Sequence, residues 1–202
     1  MSLRLVRHGE TDLNAARVVQ FPDTPLGAHG LAQSDQLGRA LADQAIATVI
    51  TSDYRRAQMT AEKIAEHTGA NLIAEATLRE RNYGDVRGRP HDELAHLDIF
   101  GTSYEPPNGE SWSVFNKRVD RAWQKISEYC EEIQGDIVIV THGLVLRSLF
   151  ARVLDSSAYA ISEDLIVANT SVTRVERDPP WRIVELASTE HLQDDAREGG
   201  AV

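Results

Sequence analysis

Three short apolar runs, each followed at once by polar residues, constrain the fold of this chain more than any other feature. Leu3-Arg4-Leu5-Val6 leads into Arg7-His8-Gly9-Glu10. Ile46-Ala47-Thr48-Val49-Ile50 leads into Thr51-Ser52-Asp53 and then Arg55-Arg56. Ile137-Val138-Ile139-Val140 leads into Thr141-His142-Gly143. Such runs read as strands buried on both faces, as parallel sheets require. Helical patterns separate them, so an α/β fold with a mostly parallel sheet is expected. Ligands of open α/β sheets sit in the crevice at the carboxyl ends of the strands. The three polar tails are therefore expected to converge on one anion-binding site, with His8 as the nucleophile.

The sequence between these runs supplies the other elements. Thr11 to Val19 is expected to hold a short helix and Phe21 to His29 a loop. Gly30 to Asp43 reads as a helix with Leu31, Leu37 and Leu41 on one side. Ser52 or Asp53 can cap a helix running to about His67, with Ala57, Ala61 and Ile64 facing the core and Gly69 at its C-terminal cap. Asn71 to Ala74 is a further strand. Leu78 to Pro107 is irregular, with one short helix near Asp92 to Leu97; loops this long inside a compact domain are usually functional. Ser111 can cap a long helix whose Trp112, Phe115, Val119, Trp123, Ile126, Cys130 and Ile133 recur at spacings of three and four. A helix from about Leu144 to Leu154 follows the third apolar run. Val172 to Glu176 and Arg182 to Leu186, joined by Asp178-Pro179-Pro180, form an antiparallel hairpin at the sheet edge. Residues 1–188 are expected to form a single domain, 84–110 a specificity loop or lid, and 189–202 a flexible C-terminal tail.

Composition removes several classes of function. The 202 residues carry a net charge of −10, which argues against nucleic-acid and anionic-membrane partners. No run approaches the roughly 18 apolar residues of a membrane span. Arg4, Arg7, Glu10 and Asp12 make the N-terminus unlike a signal peptide. The single cysteine, Cys130, cannot form an intrachain disulfide, which favours a reducing, cytoplasmic setting. A cluster of arginines inside so acidic a chain points to a local task.

That task is legible in residue types. A neutral imidazole whose N–H is held by a carbonyl aims its other nitrogen, and that nitrogen can attack phosphorus. His142, at an equivalent strand end, repeats the placement of His8, and two histidines so placed are better explained by a shared ligand than by chance. A charged His142 would bind a phosphoryl oxygen, helped by the helix N-terminus beside it. Arg55 and Arg56 point about 100° apart on their helix, so at most one faces the crevice well. Arginine suits a phosphoryl group because its planar fork stays charged and donates two hydrogen bonds. Spacing alone leaves Glu80 an exposed loop carboxylate, yet a leaving alkoxide needs a proton, and a carboxyl of raised pKa is a usual donor.

Taken together, these motifs resemble the histidine phosphatase superfamily, also called phosphoglycerate mutase-like, from Leu3 to about Thr173. Arg7-His8-Gly9-Glu10-Thr11 with Asn14 matches its defining motif. Ser52-Asp53-Tyr54-Arg55-Arg56-Ala57 with Thr60-Ala61, Leu78 with Glu80, Gly109-Glu110-Ser111 with Arg118, and Thr141-His142-Gly143 match others in the same order. The resemblance implies a three-layer α/β/α sandwich. It implies His8 as the phosphorylated nucleophile, Glu80 as proton donor, and Arg7, Asn14, Arg56, His142 and Gly143 around the phosphate. It implies no cofactor and no metal. Two departures stand out: Gly27 replaces a common threonine or serine, and Val86-Arg87 replaces a usual Trp-Glu pair.

The implied activity is a metal-independent phosphomonoesterase of the histidine acid phosphatase type, acting on a small phosphorylated metabolite. The alternatives are a cofactor-dependent phosphoglycerate mutase, a metal hydrolase and a non-catalytic phospholigand-binding protein. Among the seven histidines only His91 and His96 have tight ligand spacing. The mutase is disfavoured because Asp92, Glu93, Asp98, Glu105 and Glu110 make an acidic lid, expected to repel a multiply charged ligand. Substrate and oligomeric state are left open by the residues alone.

Overall fold

The computed structural model describes residues 1–162 and 165–192. Its six strands are β1 (Ser2–Arg7), β2 (Ile46–Thr51), β3 (Asn71–Ala74), β4 (Asp136–Thr141), β5 (Val172–Glu176) and β6 (Ile183–Ser188). They form one sheet in the order β3-β2-β4-β1-β5-β6. The first four are mutually parallel, whereas β5 and β6 add an antiparallel edge. β4 and β1 occupy the centre, with Leu5 opposite Ile139 and Arg7 opposite Thr141.

The continuous apolar runs are explained by two separate cores. Val6, Val138 and Val140 face one side, where they pack with Leu37, Leu41, Ala57, Ala61 and Ile64. Leu3, Leu5, Ile137 and Ile139 face the other, with Phe115, Val119, Ile126, Val145 and Phe150. Successive residues of a strand point to opposite faces, so a strand covered on both must be apolar throughout. Helices α2 (Ala28–Leu41) and α3 (Arg55–Thr68) cover the first face; α5 (Trp112–Glu132) and α6 (Gly143–Arg152) cover the second. The result is the expected three-layer sandwich.

Local chemistry sets the element ends. Thr11 caps the four-residue α1 (Asp12–Ala15), accepting the amide of Asn14. Ser111 caps α5 through the amide of Val114, and Gly69 closes α3 in the left-handed region at φ +72°. Two expectations need correction. Neither Ser52 nor Asp53 caps α3, which starts after Tyr54 without a side-chain cap. Ser52 is drawn to His142 and Asp53 to Arg79. Leu31 lies on the exposed side of α2, and the small polar Gln33 and Ser34 are buried in its place. The reason is that this face meets the backbone after β1: Gln33 accepts the Glu10 amide, and a Cβ on Gly9 would lie 2.8 Å from the Ser34 hydroxyl.

The irregular stretch contains short 3-10 turns at Ala76–Leu78, Gly84–Val86 and Ala95–Leu97, and the four-residue α4 (His91–Leu94). At the C-terminus the chain stays packed as far as Leu192, which is buried; the rest of the expected tail, 193–202, lies outside the described residues. Among the described residues, no helix is long and apolar enough to cross a membrane.

Candidate active site

At the carboxyl ends of β1, β2 and β4 the chain encloses a cavity of about 820 Å3. Its wall includes Arg7, His8, Asn14, Arg56, Glu80 and Gly143. These are six of the seven residues expected at the site. The seventh, His142, is fully buried beside the wall, with its ring centroid 5.1 Å from that of His8.

His8 is held tightly. Its Nδ1 lies 2.7 Å from the carbonyl of Gly9. A carbonyl only accepts, so Nδ1 carries the proton and Nε2 presents its lone pair. Arg56 Nε donates to that lone pair at 3.2 Å. The backbone around His8 is fixed from three elements: its amide donates to Thr141 of β4, the Asn169 amide group donates to its carbonyl, and Thr60 of α3 accepts the Gly9 amide. Gly9 and Gly30 must lack side chains here. A Cβ on Gly30 would stand 2.0 Å from the Glu10 carbonyl, and one on Gly9 2.6 Å from that of Gly30.

The two arginines flank this imidazole. Arg7 donates to the Val167 carbonyl at 2.7 Å and Arg56 to that of Phe21 at 3.0 Å. Both are buried, and burial brings each guanidinium down to about 10, opposed by the nearby Glu80 carboxylate. They remain charged near neutrality. Burial, followed by Arg56 and Arg7, holds His8 well below the usual histidine range. His142 is held low in the same way, by burial and then by Arg56. The neutral form of both imidazoles is thus favoured in the free protein. His142 Nε2 lies 2.9 Å from the hydroxyl of Ser52, and its buried Nδ1 has no hydrogen-bond partner among the described residues.

Glu80 is not the exposed carboxylate that spacing alone suggested. It is half-buried in the cavity wall, accepting amides from Arg81 at 2.9 Å and from Leu144, in the first turn of α6, at 3.1 Å. Burial raises its pKa above the usual range, and these amides, with Arg56 and Arg118, limit the rise. Glu80 is placed by Arg118 of α5, whose guanidinium donates to both Glu110 oxygens and to the carbonyls of Thr77, Arg79 and Glu80.

Some residues of the site were missed. Asn169 and Thr170 secure the backbone of His8 and Arg7; the polar Asn169-Thr170-Ser171 directly ahead of β5 was their only sequence signal. Arg81 also faces the cavity. It is buried, lies 4.3 Å from the Trp112 ring centroid and donates to the carbonyls of Ile99, Tyr104 and Glu110, thereby shaping the 84–110 segment. The acidic-lid expectation fails. Asp92, Glu93 and Glu105 are exposed, Glu110 pairs with Arg118, and only Asp98 of the five lines the cavity, alongside seven arginines.

The sequence profile of the histidine phosphatase superfamily (branch 1) matches residues 3–189. The chain belongs to that superfamily. It is 36% identical over 193 residues to a Klebsiella pneumoniae protein named "Probable phosphoglycerate mutase GpmB", covering 90% of this chain and 87% of that one. Among solved structures of similar fold are Bacillus stearothermophilus YhfR, with a TM-score of 0.80, 29% identity and 95% and 99% of the two chains covered, and the alpha-ribazole phosphatase from Shigella flexneri, with 0.78, 28%, 93% and 96%. This superfamily member is thus an enzyme of the phosphatase or mutase kind, and its sandwich is the phosphoglycerate mutase-like fold.

Proposed function

We propose that this protein is a phosphomonoesterase that acts on small phosphorylated metabolites through a phosphohistidine on His8. The reading rests above all on the aimed lone pair of His8 Nε2 between two buried guanidiniums. An arriving phosphoryl group takes over the N–H of Arg56 from His8. Nε2 then attacks phosphorus, and the bond to the ester oxygen breaks as Glu80 gives that oxygen its proton. Arg7, Arg56 and Asn14 bind the equatorial oxygens, and His142 Nδ1 supplies a further donor. The Gly143 backbone, at the start of α6, favours the same charge. In the second step Glu80, now a carboxylate, takes a proton from water, which displaces His8 from phosphorus and releases inorganic phosphate.

Water is assigned as acceptor because the cavity is several times larger than a three-carbon phosphoester and its wall includes the half-exposed Arg87 and the exposed Phe100. Such a site does not seal a captured alcohol from solvent. The mutase is the second reading, supported by the relatives of that name and by the cationic wall. The test is a panel of phosphoesters assayed in chelator with wild type and His8→Ala. Phosphate release that disappears in the variant, with an acid-labile phosphoryl group trapped on the wild type, is expected. Interconversion of 2- and 3-phosphoglycerate faster than phosphate release would select the mutase, and full turnover by His8→Ala would refute both readings.

A further inference from the structure

The cavity wall holds more positive charge than one phosphoryl group requires. Beyond Arg7 and Arg56, most of it is taken up by the protein itself. Arg81 binds three carbonyls, Arg147 the carbonyl of Leu165, and Arg152 the carboxylate of Asp120. Arg87 differs. Among the described residues its guanidinium has no carboxylate partner, and its one side-chain hydrogen bond is long, 3.4 Å to the Tyr54 hydroxyl. It lies close enough to Arg56 to depress that group further.

The backbone presenting Arg87 is locked. Its amide donates to Gly84, and the amide of Gly88 donates to Val19 at 2.7 Å. Gly88 is left-handed at φ +79°, and a Cβ there would come within 2.7 Å of the Phe21 ring. The neighbouring ribbon continues through Val19–Arg89 and Arg17–His91 backbone bonds, and Arg17, also without a carboxylate partner among the described residues, extends the positive wall. Two guanidiniums held against one space repel each other. A bound anion spanning both removes that cost and gains charge-assisted hydrogen bonds.

Building on the phosphoryl-transfer reading above, we propose that Arg87 binds a second anionic group on the substrate. The preferred substrates are then phosphomonoesters whose alcohol part carries a carboxylate or a second phosphate. Two matched pairs separate these sources: glycerol 3-phosphate against 3-phosphoglycerate, and fructose 6-phosphate against fructose 1,6-bisphosphate. Phosphate release gives kcat/KM for each, with wild type, Arg87→Ala and Arg87→Lys. In at least one pair wild type is expected to favour the doubly anionic member by about 10-fold or more. Arg87→Ala lowers that preference by roughly 10- to 100-fold, as expected for loss of a hydrogen bond between charged groups. Arg87→Lys retains part of it, since the charge stays and the fork is lost. The preference is a ratio measured on one preparation, so partial misfolding of a variant does not alter it. Absence of preference in both pairs, or a ratio unchanged by Arg87→Ala, overturns the proposal while leaving the esterase reading intact. Absence of any turnover and of any phosphohistidine overturns both.

Discussion

At the scale of the residue, the site is set by three groups whose proton affinities are pushed in opposite directions. His8 and His142 are lowered and Glu80 is raised, in each case chiefly by burial. The nucleophile must be neutral, so activity falls as pH drops through a His8 pKa that lies below 6.5. The proton donor must be protonated, so activity also falls as pH rises through a Glu80 pKa that lies above 4.5. The kcat/KM profile of an unactivated alkyl phosphate is therefore expected to be a bell, with its acid limb set by His8 and its alkaline limb by Glu80. Glu80→Gln should remove the alkaline limb and lower kcat by about 10²- to 10⁴-fold, the usual range for general acid catalysis. With p-nitrophenyl phosphate, whose leaving group needs no proton, the same variant should release a burst of nitrophenol equal to the enzyme and then stall at the phosphohistidine. An unchanged alkaline limb in Glu80→Gln would assign the acid to another residue.

At the scale of the element, the polar staples between segments matter more than secondary-structure propensity. Arg118 ties α5 to the Glu80 turn through three backbone carbonyls and a salt bridge of 2.7 Å to Glu110. Both side chains are mostly buried, so these bonds escape most solvent screening. Arg118→Ala should cost roughly 2–3 kcal/mol, the scale of lost hydrogen bonds to charged groups, seen as a thermal midpoint lower by about 5–10 °C for a chain of this length. It should also slow alkyl phosphates more than nitrophenyl phosphate, because Glu80 is displaced while His8 keeps its own supports. An equal loss with both substrates would mean that Arg118 serves the fold alone.

At the scale of the whole molecule, the site exists only because three distant strand ends meet. β1 brings Arg7 and His8, β2 leads into Arg56, and β4 delivers His142. Binding at such a junction couples the layers of the sandwich, so an anion that fills it should stabilise the entire fold. Orthovanadate at about 100 times its Kd is expected to add about 2.7 kcal/mol, or roughly 5–11 °C in the thermal midpoint at this size. Arg7→Ala should abolish most of that gain. A vanadate-dependent shift that persists in the variant would place the anion elsewhere.

How much of this was legible follows the range of the forces involved. The strands, the helices and the cap at Ser111 are written in local periodicity and hydrogen-bonding chemistry, and the parallel core is written in apolar runs that only a doubly covered sheet accepts. The sequence motifs likewise singled out His8, Arg7, Arg56 and His142. What they did not contain was orientation. That Leu31 faces solvent, that Ser52 serves His142, that Glu80 is half-buried against the first turn of α6, and that Asp92, Glu93 and Glu105 stay exposed are outcomes of long-range contacts between residues tens of positions apart. The chain by itself determined which chemical groups arrive at the strand ends. Only the tertiary structure decided their protonation and the charge of the wall around them, because both depend on desolvation and on neighbours that sequence distance does not reveal.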